Sequence, residues 1–421
     1  MASELARLFA EDGLVAPGFV APGHPENWGA EAVAIGRWTR ENWLRPGARG
    51  PFGPLGVAHR TTRDGARIRL ALPRRPEPRG VRVGVLYEKK TGHRGFRLET
   101  AGRVWVEVSP PPSPTAPELR LVEVDMPDDA ETLELVTHCR RCPRNAELRF
   151  FGFLVRYENA AVEWDALGVV GTSIFHPSQR SDAMLDAYLG LRKPDLIAVW
   201  FGSNSAESDD LDVERYGARY RALLDRLRAA APDAACLVIG LPDLDARPSG
   251  CFLSPAESRA SRKARKRAKD RALLRLNLPA RACDPDALVK SGRNGQPIYP
   301  VASVRTAEQW DAYKEACACR TVPLVPELDR VSREAAHAAG CAYFSTWEFM
   351  GGESSMQRFA CQEPRLGAYD LVHLTHEGYQ AIARSIHSAV QQLGAGTPAV
   401  IAGSDAAGGE ARSETGPETG K

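Results

Sequence analysis

Residues 195–205 read Asp-Leu-Ile-Ala-Val-Trp-Phe-Gly-Ser-Asn-Ser, and this stretch decides the fold class that the sequence predicts. Its apolar residues follow one another without polar alternation, which is typical of a strand buried on both faces of a parallel sheet. The apolar run ends at Gly202, and short polar residues come directly after it. Because ligands gather at the carboxyl ends of strands in open α/β sheets, the stretch predicts a buried strand that leads into a ligand-binding turn.

The chain after this strand continues to alternate between helical and extended patterns. Tyrosines and leucines recur at helical spacing over residues 216–227 and predict a helix with one apolar face. Apolar runs at 235–240 and 341–344 predict two more buried strands. A last helix is predicted to begin at Thr375, a residue type that favours the N-cap position. Strands that alternate with helices predict an α/β layer built on a parallel sheet.

The chain before this region follows a different pattern, in which apolar and polar residues alternate with a period of two. Short segments of this kind are separated by Gly, Pro and Asp, so they predict an antiparallel β-sandwich or jelly roll. Residues 14–57, further upstream, combine glycines and prolines with large aromatic side chains and predict an ordered layer of loops. The predicted strands of the sandwich are residues 66–72, 80–88, 95–100, 103–108, 119–126, 132–138 and 147–158.

Composition narrows the functional classes. The chain has 421 residues, which favours two modules, and 55 Lys and Arg against 53 Asp and Glu give a net charge of +2. This balance gives no signal for a nucleic-acid partner. No apolar run reaches the roughly 18 residues of a transmembrane helix. The first residues lack the charged and apolar regions of a signal peptide, so the chain as written is expected to be cytoplasmic.

The nine cysteines leave their chemistry open. An odd count excludes complete pairing within one chain. Cys139 and Cys142 form a single CxxC, whereas a four-cysteine zinc site usually shows two such pairs. Disulfides, free thiols and zinc therefore remain alternatives, with zinc the least favoured.

Asp370 and His373 are the first candidates for chemistry. Their spacing, just ahead of the last predicted helix, allows the carboxylate to bind the imidazole Nδ1 and leaves Nε2 free to take a proton from a hydroxyl. A surface histidine beside a helix-start aspartate is the plainer alternative. With His376 the pair could also form a metal site. We expect His376, in the first helical turn, to point away.

Asn204 and Gly171 are candidates for stabilising negative charge. Asn204 follows the 195–201 strand, where its amide can donate to a developing oxyanion, an interaction worth about 3–4 kcal/mol in related chemistry. An Asx turn that caps the next segment is the alternative. Gly171 can offer a backbone N–H as a second donor, although glycine turns are common and the signal is weak alone.

Four sequence blocks in a fixed order resemble one family, the SGNH (GDSL-like) hydrolases related to peptidoglycan O-acetylesterases. In these enzymes a carbohydrate-binding-like β-sandwich is inserted into the hydrolase domain. The resemblance covers most of the chain except residues 250–322 and the tail. The matching blocks are Trp164–Gly171, Trp200–Asn204, Met350–Met356 and Asp370–Tyr379.

The resemblance implies a three-layer, flavodoxin-like α/β domain interrupted by the sandwich. It also implies a serine-type esterase that removes O-acetyl groups from cell-wall or other glycans through an acyl-enzyme, without a cofactor. His373 would be the general base and Asp370 its orienting partner. Asn204 and Gly171 would be the oxyanion donors. The substrate partner would be an acetylated glycan or another small ester, and the oligomeric state stays open.

The Gly-Asp-Ser block that carries the family's nucleophile is absent from the 421 residues. The helix that follows this block in the family corresponds to Ala2–Ala10, so we expect the serine upstream of Met1, together with an export signal to the periplasm or the exterior. Two alternatives remain: an inactive glycan-binding protein, or a substitute nucleophile among Ser173, Ser203 and Ser205.

The sequence predicts a division into successive parts. The insertion contains the basic segment Arg259–Arg275, predicted to be a solvated helix or, alternatively, a patch for an acidic glycan or membrane surface. An acidic run from Glu207 to Asp212 predicts a solvated helix N-terminus. The parts are 1–60 (N-terminal hydrolase segment), 61–157 (sandwich), 158–249 (hydrolase continued), 250–322 (Cys-containing basic insertion), 323–395 (C-terminal hydrolase segment) and 396–421 (disordered tail).

Overall fold

The computed structural model describes residues 1–394 apart from 12, 24–27, 46–49, 74–78, 111–116, 128, 140–141, 144, 177–181, 209, 247–282, 292–295 and 300–302. The predicted basic helix Arg259–Arg275 and the predicted tail 396–421 lie outside the described residues.

Strands predominate in the first half of the chain, whereas helices and strands alternate in the second half. The strands are β1 (Val15–Ala16), β2 (Gly18–Val20), β3 (Glu31–Ile35), β4 (Thr39–Asn42), β5 (Val57–Thr61), β6 (Arg67–Ala71), β7 (Arg82–Lys89), β8 (Gly95–Thr100), β9 (Arg103–Val108), β10 (Glu118–Asp125), β11 (Thr132–His138), β12 (Leu148–Arg156), β13 (Val162–Glu163), β14 (Leu196–Trp200), β15 (Ala235–Ile239), β16 (Asp245–Ala246), β17 (Lys290–Ser291), β18 (Pro297–Ile298), β19 (Arg320–Thr321) and β20 (Ala342–Phe344). The helices are α1 (Ala2–Phe9), α2 (Asp182–Arg192), α3 (Ser203–Ala206), α4 (Val213–Ala230), α5 (Ala307–Ala316), α6 (Leu324–Ala338), α7 (Thr346–Phe349), α8 (Ser355–Cys361) and α9 (His376–Gly394).

Two antiparallel sheets form the predicted sandwich, which is confirmed. One sheet has the order β10-β7-β12-β5-β4, with β2 also paired to β12, and the other has the order β3-β6-β11-β8-β9. Their facing side chains, among them Ile68, Leu98, Leu135 and Phe150, are completely buried. Alternation of these residues with polar ones places one face of each strand in this shared core.

The sandwich begins earlier in the chain than the sequence predicts, because β3 and β4 lie within the segment expected to be a layer of loops. In β3 the small Ala32 faces inward, while Val33 and Ile35 are 47% and 39% exposed. Large apolar residues on the outer face reverse the usual pattern, so the period of two carried no clear signal. The domain division itself stays a prediction, but the sheets begin with β2 at Gly18 rather than at residue 61.

Strand β12 connects the sandwich to the rest of the molecule. Phe150 and Phe153 both face the sandwich core, because the register of β12 against β7 shifts between Phe150 and Gly152. Such a bulge inserts one residue and keeps both rings on one face. Phe151 faces the other side, where it packs in one cluster with Tyr188 of α2. Strand β12 is therefore buried on both faces.

The second half forms the predicted α/β layer, which is also confirmed. Strands β14, β15 and β20 pair in that order and are parallel. Val238 of β15 packs with Tyr220 of α4 and other residues of α4 and α6 on one face. Leu237 of the same strand packs with Leu5 of α1 and Ile382 of α9 on the other. The sheet is thus the middle of three layers.

Most of the described cysteines form disulfides. Cys139 bonds to Cys142, and Cys317 is also disulfide-bonded. The bond between Cys236 and Cys341 joins β15 to the residue that precedes β20. A further disulfide, Cys283–Cys361, connects the 250–322 segment to α8. Within the described residues, no set of three or more His, Cys, Asp or Glu side chains is placed to hold a metal ion.

The described helices are too short or too polar to cross a membrane.

Candidate active site

Asp370 and His373 form the hydrogen-bonded pair that their spacing predicts. His373 Nδ1 lies 2.8 Å from Asp370 Oδ2, and the other carboxylate oxygen accepts from the backbone N–H groups of Val372 and His373 at 3.0 Å each. Leu371, between them, has a φ of +62°, so the chain turns sharply enough for the carboxylate to reach forward. An ionised carboxylate only accepts hydrogen bonds, so Nδ1 carries the proton and Nε2 of the neutral ring is a proton acceptor.

The environment keeps the Asp370 carboxylate charged. Burial alone would raise the pKa of Asp370, but hydrogen bonds from the backbone of His373 and Val372 and from the imidazole hold the pKa below its usual value. The His373 side chain is 69% exposed, so its Nε2 face is open to a reacting molecule. The pair is therefore a charged carboxylate that orients an accessible base.

Helix α9 fixes the position of this loop. Thr375 occupies the predicted N-cap, and its hydroxyl accepts from the backbone N–H of Gly378 at 3.1 Å. His376 is the first residue of the helix. Since no metal-binding cluster exists within the described ranges, the alternative of a metal held by Asp370, His373 and His376 has no structural support.

Asn204 and Gly171 are brought together although 33 positions separate them. The Asn204 side chain donates from Nδ2 to the backbone oxygen of Thr172 at 2.9 Å. Gly171 has a φ of +78°, a conformation that favours glycine. Gly202 has a φ of +139°, and a Cβ there would lie 2.7 Å from the Cβ of Leu241, so only glycine fits where β14 turns into α3. The two oxyanion candidates therefore share one corner of the site.

Both pairs lie at the carboxyl edge of the parallel sheet. Trp200, the last residue of β14, contacts Tyr379 in the first turn of α9, with ring centroids 6.1 Å apart. Trp200 precedes Asn204 by four positions, and Tyr379 follows His373 by six. The Asp370–His373 pair and the Asn204–Gly171 pair thus lie on neighbouring loops. The aromatic contact next to both pairs connects these loops.

The three candidate substitute serines do not pair with His373. Ser173 places its Oγ 3.0 Å from Nδ1 of His176, and its backbone N–H donates to the same nitrogen at 2.9 Å. Ser205 is 3% exposed. Ser203 is the first residue of α3.

Two buried carboxylates that the sequence reasoning missed support the site. Asp243 and Asp245 follow β15 and are 0% and 4% exposed. Asp243 accepts from the backbone N–H of Met356 at 3.0 Å, and Asp245 accepts from that of Gln357 at 2.7 Å. The backbone N–H of Asp245 also donates to Leu371 O at 3.0 Å. These contacts join the Met350–Met356 block, which had no assigned role, to the loop of His373.

Burial, together with the neighbouring Asp243 charge, raises the pKa of Asp245 to about 6. The signal that could have revealed this pair is the presence of two acidic residues directly after a buried strand, in Leu241-Pro-Asp-Leu-Asp245.

Sequence comparison identifies the family to which this site belongs. The family model for the GDSL-like lipase/acylhydrolase domain matches residues 155–386, more than half of the chain. The chain belongs to the GDSL-like lipase/acylhydrolase family. Gly171, Asn204, Asp370 and His373 all lie within the matched range. The resemblance drawn from the four sequence blocks is thereby confirmed.

Solved structures support the same fold. A peptidoglycan O-acetylesterase structure is similar with a TM-score of 0.61 and 14% sequence identity, covering 94% of this chain and 89% of that one. At this identity the likeness shows the fold alone. A search of curated proteins gave no match.

Two partial matches have TM-scores too low to carry an argument. A K1 cleaved adhesin domain of Lys-gingipain from Porphyromonas gingivalis W83 has a TM-score of 0.22 at 12% identity, covering 31% of this chain and 98% of that one. A family two carbohydrate esterase from Clostridium thermocellum, in complex with cellohexaose, has a TM-score of 0.18 at 11% identity, covering 56% and 84%.

Proposed function

We propose that this chain provides the general base and the oxyanion donors of a serine esterase that removes O-acetyl groups from a glycan. The observation that carries the proposal is the 2.8 Å contact between His373 Nδ1 and Asp370, which leaves Nε2 as an accessible base. A hydroxyl nucleophile needs such a base, and the base needs a partner that fixes its tautomer.

The reaction follows from these roles. His373 Nε2 takes the proton of a serine hydroxyl while the serine oxygen bonds to the ester carbonyl carbon. The protonated ring then gives this proton to the leaving sugar oxygen as the carbon–oxygen ester bond breaks. Water, deprotonated by the same nitrogen, attacks the acetyl-serine, and the protonated ring returns this proton to the serine oxygen as the bond to the acyl carbon breaks and acetate leaves. Asp370 stabilises the charged imidazolium in both halves.

Asn204 and Gly171 hold the negative oxygen of the tetrahedral intermediate. Asn204 donates to the Thr172 carbonyl in this structure, so its amide exchanges that acceptor for the oxyanion during the reaction. Gly171 contributes its backbone N–H from the adjacent turn. An oxyanion is a stronger acceptor than a carbonyl oxygen, so the exchange favours the transition state.

The nucleophile is proposed to come from a Gly-Asp-Ser segment outside residues 1–421. Two observations support this: the sequence contains no such block, and Ser173 is hydrogen-bonded to His176 while Ser205 is buried. The hydroxyl of Ser205 is buried and cannot reach an ester. The hydroxyl of Ser173 contacts His176 Nδ1, and this nitrogen already accepts a backbone N–H.

The glycan substrate and the compartment are part of the same proposal. The resemblance to peptidoglycan O-acetylesterases supports an acetylated cell-wall glycan. The disulfides Cys236–Cys341 and Cys283–Cys361 support an oxidising compartment such as the periplasm or the exterior, because disulfides persist there.

The test compares residues 1–421 with a version that carries a Gly-Asp-Ser strand of the family fused ahead of residue 1. We expect no turnover of an aryl acetate by residues 1–421 and clear turnover by the fused version. A fluorophosphonate probe should label the added serine, as mapped by mass spectrometry. His373→Ala should abolish both turnover and labelling.

Equal turnover by the fused version and its His373→Ala variant would overturn the base assignment. Labelling of Ser173 or Ser203 in residues 1–421 would overturn the external nucleophile. If the fused version shows no turnover but still binds the glycan, the result would favour the alternative that the chain is an inactive glycan-binding protein.

A further inference from the structure

A cavity of about 770 Å³ opens between the β16–β19 ribbon and the segment Trp347–Glu353. One wall is the two-stranded ribbon of β16 and β19, which contributes Ala246, Arg320 and Thr321. The opposite walls are the start of α6 and the Trp347–Glu353 segment. Its size falls in the range of pockets that hold small organic ligands.

The lining joins an apolar platform to polar groups. Trp347 is half-buried, and its Nε1 atom is buried, so the carbon surface of the indole is what faces the cavity. Pro323 and Pro326 extend this apolar surface. Arg320 and Glu353 are exposed, and neither side chain has an ion-pair partner among the described residues.

The cavity is connected to the catalytic loop through short contacts. Asp245, on the ribbon, donates its backbone N–H to Leu371 O at 3.0 Å, between Asp370 and His373. Val372 belongs to the same hydrophobic cluster as Trp347. The cavity and His373 therefore lie on segments that are hydrogen-bonded to each other at the carboxyl edge of the parallel sheet.

We propose that this cavity binds one pyranose ring of the glycan substrate, adjacent to the acetylated sugar; the assignment rests on the proposed function. A pyranose ring has apolar C–H faces that match the carbon surface of Trp347. Its rim of hydroxyl and acetamido groups matches the donors of Arg320 and the carboxylate acceptor of Glu353. A saturated acyl chain has no hydroxyl or amide group to donate to Glu353, so the lining favours the sugar.

Part of this wall comes from the 250–322 segment, to which Arg320, Thr321 and Val322 belong. That segment lies outside the four sequence blocks that resemble the peptidoglycan O-acetylesterases. We infer that the segment determines which sugar is accepted next to the acetylated one.

The test is a calorimetric titration of residues 1–421 with the trisaccharide of N-acetylglucosamine, with hexanoate as the acyl-chain probe. We expect binding of the trisaccharide but not of hexanoate. Trp347→Ala should weaken trisaccharide binding about tenfold or more, the usual effect of removing a central aromatic contact. Arg320→Ala and Glu353→Gln should each weaken it severalfold.

Matched variants keep the result interpretable. Arg330→Ala removes an exposed arginine from α6, where it pairs with Glu334, and should leave the affinity unchanged. Trp347→Phe retains the packing and most of the platform, so it should bind better than Trp347→Ala if the ring contact is responsible. The exposed Arg320 and Glu353 variants should unfold at the same temperature as the parent.

The outcomes separate this proposal from the proposed function. His373→Ala should leave trisaccharide affinity intact, since binding needs no base. Absent trisaccharide binding, binding insensitive to Trp347→Ala and Arg320→Ala, or competition by hexanoate would each overturn the sugar site, even if the fused esterase is active. If the fused version has no esterase activity but the trisaccharide binding depends on Trp347, the proposed reaction would be overturned and the proposed sugar site would stand.

Discussion

The outer face of the five-stranded sheet and the carboxyl edge of the parallel sheet both carry charged side chains, but they use them differently. On the sheet face, Glu134 accepts hydrogen bonds from both Arg67 and Arg69 on the neighbouring strand. At the carboxyl edge, Asp370 binds only one side of the His373 ring and leaves the other side open.

The difference follows from the backbone that carries the side chains. Strands place cross-strand neighbours at fixed short distances, so opposite charges on a sheet face pair with each other. Loops that follow parallel strands converge from distant parts of the chain and present groups that are only partly satisfied. Charge alone therefore does not mark a functional site, whereas an oriented group with a free hydrogen-bonding position does.

The largest expected effect tests the oriented pair. Asp370→Asn in the fused esterase keeps the shape of the side chain but no longer favours the tautomer with a free Nε2. We expect kcat toward an aryl acetate to fall on the order of 10³–10⁴-fold, with the melting temperature little changed. Asp225→Asn, which removes an exposed carboxylate from an ion pair on α4, is the matched control. Similar kcat values for the two variants would mean that Asp370 contributes no more to the reaction than an exposed carboxylate in a surface ion pair.

A substitution in the sandwich should act on stability instead. Phe150 is completely buried and contacts Phe153 with ring centroids 4.9 Å apart. Phe150→Ala should lower the free energy of unfolding by about 3–5 kcal/mol, as measured by urea denaturation. Folded Phe150→Ala in the fused esterase should keep its kcat. A large loss of kcat in the folded variant would show that the two regions are not separate in function.

The oxyanion corner is expected to give a smaller catalytic effect. Asn204→Ala in the fused esterase removes one donor and should lower kcat by about 10²–10³-fold. Asn204→Asp has the same shape but places a negative charge beside the oxyanion, so it should be the more damaging change. Steady-state kinetics of the two variants test this order, and equal rates for Asn204 and both variants would remove Asn204 from the mechanism.

The buried pair below the site predicts a pH dependence of stability. The folded protein raises the pKa of Asp245 to about 6, whereas aspartate in the unfolded chain titrates near about 3.9. Between these values the folded state binds more protons, so the contribution of Asp245 to the free energy of unfolding falls as the pH rises from about 4 to about 6. Asp245→Asn should therefore gain stability relative to the parent over that interval. Parallel urea-denaturation profiles across this pH range would contradict the prediction.

The smallest effect is expected on the charged sheet face. Glu134→Gln removes the charge that Arg67 and Arg69 share, but both arginines are about half exposed. Solvent screening limits the loss to about 0.5 kcal/mol of unfolding free energy. Urea denaturation measures this value, and kcat of the fused esterase should not change. A loss as large as that of Phe150→Ala would mean that this face contributes far more than its ion pairs.

Local patterns allowed much of this molecule to be predicted. The parallel strands, the sandwich and the Asp370–His373 pair each depend on residues close in sequence, where periodicity or an i, i+3 spacing fixes the geometry. Strand β3 escaped because its large side chains face outward and its small ones inward, so that the period of two did not stand out.

The rest depended on contacts across long stretches of chain. Sequence spacing could not show that Asn204 donates to Thr172, or that Asp245 supports Leu371, because 32 and 126 positions separate these partners. The burial of Asp243 and Asp245 also depends on distant segments, because α8 and the His373 loop pack against them.

Short-range order along the chain was enough to predict the family, the two kinds of sheet and the candidate base, because each depends on residues that are close in sequence. Three features depend on the folded chain as a whole: Asn204 donates to Thr172, a disulfide joins β15 to the residue before β20, and a cavity opens beside Trp347. The physical reason is that such features arise where segments meet in space, and their distances are set by the packing of the whole sheet rather than by any one segment.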